Sequence, residues 1–193
     1  MHWFRDFSTP LWEIFGGNLL LLVTLAFYIA WWVALFGPRG DSQSGSAGFL
    51  IAAAFFAGLA SIALLLKGID SLSGAGQGFP VTYILAGAAA FYFVSFAVTV
   101  LAFRRILTSE LLLITVWAAL ELSVIAVLQG SGRFGPYQVW TLIALVGLAT
   151  VVGMVAYVQH YRLDEAARFW NGLVPLLVDA GVVAACLAAL AFS

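Results

Sequence analysis

Charged side chains are scarce in this sequence. Only 9% of its 193 residues are Asp, Glu, Lys or Arg, whereas 64% are hydrophobic. Because soluble globular domains carry about 25% charged residues, this composition excludes an ordinary water-soluble domain. The net charge of −1 leaves neither a basic surface nor an acidic tail, so the sequence predicts no nucleic-acid partner.

Residues that bind metals or act as nucleophiles are also few. A single cysteine, Cys186, excludes an internal disulfide and a multi-cysteine metal site. The two histidines, His2 and His160, fall on opposite sides of the predicted membrane and make no shared metal or haem site. Sequence patterns of serine hydrolases, zinc proteases, dithiol redox proteins and P-loop nucleotide-binding proteins are missing. The sequence therefore predicts no catalytic residue, no metal site and no cofactor, and it argues against an enzyme.

Long apolar runs make up most of the chain. A helix needs about 20 apolar residues to cross the hydrocarbon core of a bilayer, and six such runs are separated by short loops. The predicted spans are residues 14–36, 49–66, 81–103, 109–129, 137–160 and 170–192. Residues 1–13 mix aromatic and charged side chains, which is typical of an interfacial segment lying on the membrane. We predict an all-α integral membrane protein, a bundle of six transmembrane helices in contact with the lipid bilayer.

The basic residues predict the orientation of this bundle. Five basic residues flank the loops after the first, third and fifth spans, and three lie on the opposite side. The first set is Arg39, Arg104, Arg105, Arg162 and Arg168; the second is Arg5, Lys67 and Arg133. The positive-inside rule puts the larger set in the cytoplasm. We therefore expect both termini to be extracytoplasmic, with the plasma membrane as the location.

Labelling of single cysteines checks this topology. In a protein whose Cys186 is replaced, cysteines at Ser44 and Ser131 fall in loops on opposite sides of the predicted membrane. We expect a membrane-impermeant thiol reagent added outside intact cells to label the cysteine at Ser131 and not the one at Ser44. The reverse pattern would invert the topology.

The fourth span carries a carboxylate near its middle. Glu121 is 11 residues past Glu110, hence about 16 Å deeper at the helical rise and close to the bilayer midplane. A group that ionises at this depth costs several kcal/mol unless it has a partner, a proton or a water-filled cavity. At about 100° per residue, Trp117 and Glu121 lie within roughly 20° of Glu110 on one stripe of the helix.

A second carboxylate is expected at a similar depth. Asp179 lies about 13 Å past the interfacial Trp170, in a span that enters from the same side as the fourth. Two carboxylates near one level are able to share a proton, bind a cation with water or line a polar path. The alternative is that each is protonated and hydrogen-bonds a neighbouring helix, which only fixes packing. No Lys or Arg falls inside a predicted span, and this favours protonation or water over an ion pair.

The other two residues of the stripe favour structural roles. Glu110 lies in the first turn of its helix, where the helix dipole stabilises an acid, and Arg104 and Arg105 are within reach. Trp117 is either a surface that stacks on a ligand or part of the packed core, and the core is the more common use of such a residue. Both remain candidate site residues with Glu121 and Asp179.

Two functions follow from these patterns. The first is a polytopic membrane protein that binds or transports a small solute, with or without proton coupling, through a polar interior containing Glu121 and Asp179. The alternative is a non-catalytic membrane subunit or sensor, in a homo-oligomer or beside a partner subunit, whose buried acids only specify helix packing. An intramembrane enzyme is the least favoured, since the sequence offers no nucleophile with a base.

Overall fold

The computed structural model of the protein describes residues 8–37, 45–73, 80–101 and 109–193, and these form six long helices. The helices are α1 Thr9–Phe36, α2 Gly45–Ser73, α3 Val81–Leu101, α4 Ser109–Gly130, α5 Pro136–Gln159 and α6 Glu165–Ala191. Each is long and apolar enough to cross a membrane. The prediction of an all-α, six-helix, multi-pass membrane protein is confirmed.

Three helices extend beyond the predicted spans because helix ends depend on capping, whereas apolar runs mark only the part inside lipid. Helix α1 begins at Thr9 rather than residue 14, with Pro10 in its first turn, where a missing N–H costs nothing. The predicted interfacial residues 9–13 therefore belong to α1, and residues 1–7 lie outside the described residues. Helix α6 begins five residues before its predicted span, since the Asp164 side chain accepts a hydrogen bond from the Ala167 N–H at 2.8 Å. Helix α2 continues to Ser73, seven residues past its predicted end.

Five of the helices form a closed cycle. Within the described ranges, α1 contacts α2, α2 contacts α4, α4 contacts α5, α5 contacts α6, and α6 returns to α1. Helix α3 has extensive contact with α4 alone, and the only side chains it buries are those of Ser95 and Thr99. Helix α4 is the most enclosed. In its apolar 18-residue segment 67% of the residues are buried, whereas the share is at most 33% in any other helix. Side chains on α4 are therefore the ones best shielded from lipid.

The α1–α2 contact is the most extensive in the bundle. A Cβ on Gly68 would lie 2.7 Å from Ile14 Cγ1 and 3.1 Å from the Pro10 carbonyl oxygen, so glycine allows the two backbones to approach. The Ser61 hydroxyl donates to the Gly17 carbonyl oxygen across the same contact at 2.8 Å. Helix α2 is thereby held in a fixed register against α1.

The α1–α6 contact closes the cycle around one tryptophan. A Cβ on Gly172 would lie 2.6 Å from Trp32 Cη2, so the indole ring occupies the space that any larger residue at position 172 would fill. The Trp32 indole N–H donates to the Phe169 carbonyl oxygen at 3.1 Å. This pair of contacts fixes the level at which α1 meets α6.

Candidate functional site

The Glu121 carboxyl is completely enclosed by the bundle. Its side chain is 0% exposed, and it lies on α4 among the buried residues Ser123, Val124 and Ile125. Neither carboxyl oxygen has a hydrogen-bond partner among the described residues. A buried polar group without a partner costs free energy, and a buried charge costs far more.

No described basic side chain compensates Glu121. Lys67 is 68% exposed and forms an ion pair with Glu13 at 2.6 Å. The other described basic residues, Arg133, Arg162 and Arg168, lie in the loops or the first turn of α6. The Glu121 carboxyl is therefore either neutral or bound to something that these helices do not supply.

Helix α6 brings two more ionisable groups to Glu121. Asp179 is close enough for its charge to act on the Glu121 carboxyl, and the Cys186 thiol is within reach of that carboxyl. The thiol contact does not reach hydrogen-bonding geometry, and a thiol is a weak donor in any case. The charge of Asp179 thus reaches Glu121 without a direct contact between the two carboxyls, and the Cys186 thiol lies closer to Glu121.

The contact between Cys186 and Glu121 shows that the two carboxyls are offset along the bundle, whereas the sequence predicted a similar depth. Cys186, rather than Asp179, is the α6 residue that meets Glu121, and Asp179 lies seven residues earlier, about 10 Å along the helix. Asp179, Val183, Cys186 and Leu190 share one face of α6 at helical spacing. The last three are 0–3% exposed, whereas Asp179 is only half-buried. Along this face of α6, the side chain is therefore partly accessible at Asp179 and enclosed from Val183 onward.

Trp117 lies one turn before Glu121 on α4. Its ring is half-buried and packs against the hydrophobic core. Its indole N–H is nevertheless buried without a hydrogen-bond partner among the described residues. This packing is typical of a core residue. A core role does not explain why the indole N–H, one turn from Glu121, is buried without a partner.

Glu110 is the one predicted site residue whose position stays a prediction. It belongs to the first turn of α4, but its side chain lies outside the described residues. Its proposed interaction with the helix dipole therefore remains an expectation from the sequence.

Sequence reasoning missed Asn18 and Cys186. Asn18 on α1 is 1% exposed; its side-chain N–H donates to the Ile14 carbonyl oxygen at 3.1 Å, while its own carbonyl oxygen has no described partner. An asparagine inside an apolar run was the available signal for this residue. For Cys186 the signal was its spacing of seven residues from Asp179, which puts both on one helix face.

The described residues contain no group of three or more His, Cys, Asp or Glu side chains placed to hold a metal ion. A shallow groove of about 500 Å³ follows the outer surface of α5, and none of the residues discussed above lines it. The arrangement around Glu121 is thus an internal polar site without an obvious metal, and it is suited to holding a proton or a small hydrogen-bonding group.

Comparison with known proteins adds no relative to this description. No family model, no curated protein and no solved structure matches the chain.

Proposed function

We propose that this membrane protein binds a small solute in its interior and that binding is coupled to a proton carried by Glu121. The observation that carries the proposal is a fully buried carboxyl with two unpaired oxygens and no described cation beside it. Ionisable groups inside membrane proteins are costly, and they commonly mark ion pathways and proton relays. Glu121 meets that description more closely than any other described residue.

Asp179 supplies the route by which the proton enters and leaves. Its carboxyl is half-buried, whereas Glu121 is fully enclosed, and the charge of one acts on the other. A proton passing between bulk water and Glu121 meets Asp179 first, at the point where the side chain on this face of α6 is partly accessible. In this proposal the solute moves across the plasma membrane, and the distribution of basic residues favours an orientation with both termini extracytoplasmic.

A packing role alone explains the site less well. Buried acids that specify helix packing do so by hydrogen-bonding a neighbouring helix, and neither Glu121 oxygen has such a bond from the described residues. The described bonds between helices use other groups, including the Ser61 hydroxyl and the Trp32 indole. The described hydrogen bonds between helices thus do not involve Glu121.

Infrared difference spectroscopy tests the proposal without knowledge of the solute. In nanodiscs between about pH 5 and pH 8, we expect wild-type protein to show the carbonyl band of a protonated carboxyl. We expect Glu121→Gln to lose that band, because an amide does not titrate. Asp179→Asn should keep it but slow its response to a pH jump.

The matched control is Asp70→Asn, which removes an exposed acid from α2 and should leave the band unchanged. A wild-type spectrum with ionised carboxylates only, throughout this pH range, would contradict the proposal. So would a band of undiminished intensity in the Glu121→Gln protein.

A further inference from the structure

The register between α1 and α6 places Asn18 near the level of Glu121, although the two residues are on different helices. As the first and sixth spans, α1 and α6 run in opposite directions, and Trp32 of α1 faces Gly172 of α6. Asn18 is 14 residues before Trp32, and Cys186 is 14 residues after Gly172 (32 − 18 and 186 − 172). Equal steps along antiparallel helices bring Asn18 and Cys186 to one level. Cys186 in turn reaches the Glu121 carboxyl.

Helix α2 contributes to the same level. The Ser61 hydroxyl, 0% exposed, bonds to the Gly17 carbonyl oxygen, one residue before Asn18. Buried polar side chains from α1, α2, α4 and α6 thus form one polar layer, namely Asn18, Ser61, Glu121 and Cys186. The side chains above it in the core, such as Ile14, Ile125 and Leu190, are apolar.

The unpaired atoms in and beside this layer are mostly acceptors. They are the side-chain carbonyl oxygen of Asn18, both carboxyl oxygens of Glu121 and the indole N–H of Trp117. If Trp117 donates to one oxygen of an ionised Glu121, two acceptors and one negative charge remain. Water supplies donors but no charge, and a transition-metal ion would find no group of three or more His, Cys, Asp or Glu side chains among the described residues. A small cation with N–H groups meets both needs.

We infer that Asn18 and Glu121 together bind a small cation that carries N–H donors, of which ammonium is the smallest. This inference rests on the proposed function and names its solute class. Such a cation donates to the Asn18 carbonyl oxygen and to the Glu121 carboxylate, and its charge replaces the proton. The site is neutral in both states, since one ammonium enters as one proton leaves.

The exchange makes binding depend on pH. Among the described residues, the titratable groups that act on Glu121 are Asp179 and Cys186, both on α6. Because ammonium displaces a proton from Glu121, its apparent affinity should rise as the proton concentration falls. A solute that binds only the protonated carboxyl would show the opposite trend.

Proton release measures this exchange directly. Wild-type protein in nanodiscs, in a weakly buffered solution with a pH indicator, is titrated with ammonium chloride. We expect release approaching one proton per protein, with none on addition of sodium chloride or of tetramethylammonium chloride, which lacks N–H donors. Glu121→Gln should abolish the release.

Substitutions at Asn18 test its part in the site. Asn18→Leu should raise the half-saturating ammonium concentration about tenfold, the equivalent of one hydrogen bond. Asn18→Ser, which is smaller and keeps a polar side chain, should do the same if the leucine variant fails to fold. The control is Thr24→Val on the same helix, where the hydroxyl already bonds to the Leu20 carbonyl oxygen, and we expect no change there.

The inference and the proposed function fail separately. A protonated-carboxyl band without ammonium-dependent proton release leaves the proposed function standing and overturns the inference. Equal release by all three salts, or unchanged half-saturation in both Asn18 variants, overturns it as well. Absence of the protonated-carboxyl band from wild-type protein would contradict the proposed function itself.

Discussion

Gly172→Ala is expected to lower the free energy of unfolding by about 1–3 kcal/mol, the usual cost of forcing extra volume into a packed contact. The new Cβ would overlap the Trp32 indole, with Cη2 at 2.6 Å and Cε2 at 2.7 Å. Relief requires the ring to move, and the indole N–H is bonded to the Phe169 carbonyl oxygen. The substitution therefore strains the ring and its hydrogen bond together.

The matched control lies on the same helix. Gly181 is exposed, and a Cβ there would meet nothing within 4 Å. Gly181→Ala should leave stability unchanged or raise it by up to about 1 kcal/mol, since alanine is the better helix former. The measurement is equilibrium unfolding in mixed detergent micelles. Equal stability of the two variants would show that Trp32 does not pack against Gly172.

Glu121→Leu is expected to keep the fold and raise its stability by about 1–3 kcal/mol, while abolishing proton binding. Leucine removes two buried oxygens that have no described partner, and an unsatisfied buried polar group costs about this much. The two side chains are similar in size, so little strain or empty space is created. A protein that becomes more stable as it loses its function marks a residue kept for function.

Ser123→Ala is the control for this second substitution. Ser123 is also buried on α4, but its hydroxyl donates to the Ala119 carbonyl oxygen of its own helix at 2.7 Å. Its loss should change stability by less than about 1 kcal/mol and leave proton binding intact. If Glu121→Leu instead destabilises the protein by more than about 2 kcal/mol, Glu121 has a structural partner. That result would favour the alternative in which the buried acids only specify helix packing.

The number and type of the helices could be predicted because membrane insertion depends on local composition. An apolar run of about 20 residues is sufficient to predict a span, and all six were predicted at the right places. Helix ends were predicted less well, since α6 starts where Asp164 caps it and not where the apolar run begins. The contact of Trp32 with Gly172 was out of reach, because it depends on which helices become neighbours.

The candidate site was also predicted only in part: the two carboxyls were selected from the sequence, and Asn18 was not. The depth of Glu121 and Asp179 follows from counting residues along each helix, and this was enough to select both carboxyls. Asn18 was not selected, because the sequence does not show which helix its side chain faces. Only the register between α1 and α6 brings it to the level of Glu121. That register is a property of the assembled bundle and not of any one segment.

The contact between the first and last helices also sets an order of biogenesis. Helices α1 and α2 are adjacent in the chain, so they can pair as a hairpin soon after both leave the translocon. The acceptor for the Trp32 indole is 137 residues further along, and it is synthesised with the sixth span. Until then the Trp32 N–H, one turn from the end of α1, has only water, lipid headgroups or another nascent helix to bond to. The insertion of α6 thus supplies the acceptor for Trp32 and fixes α6 against the α1–α2 hairpin.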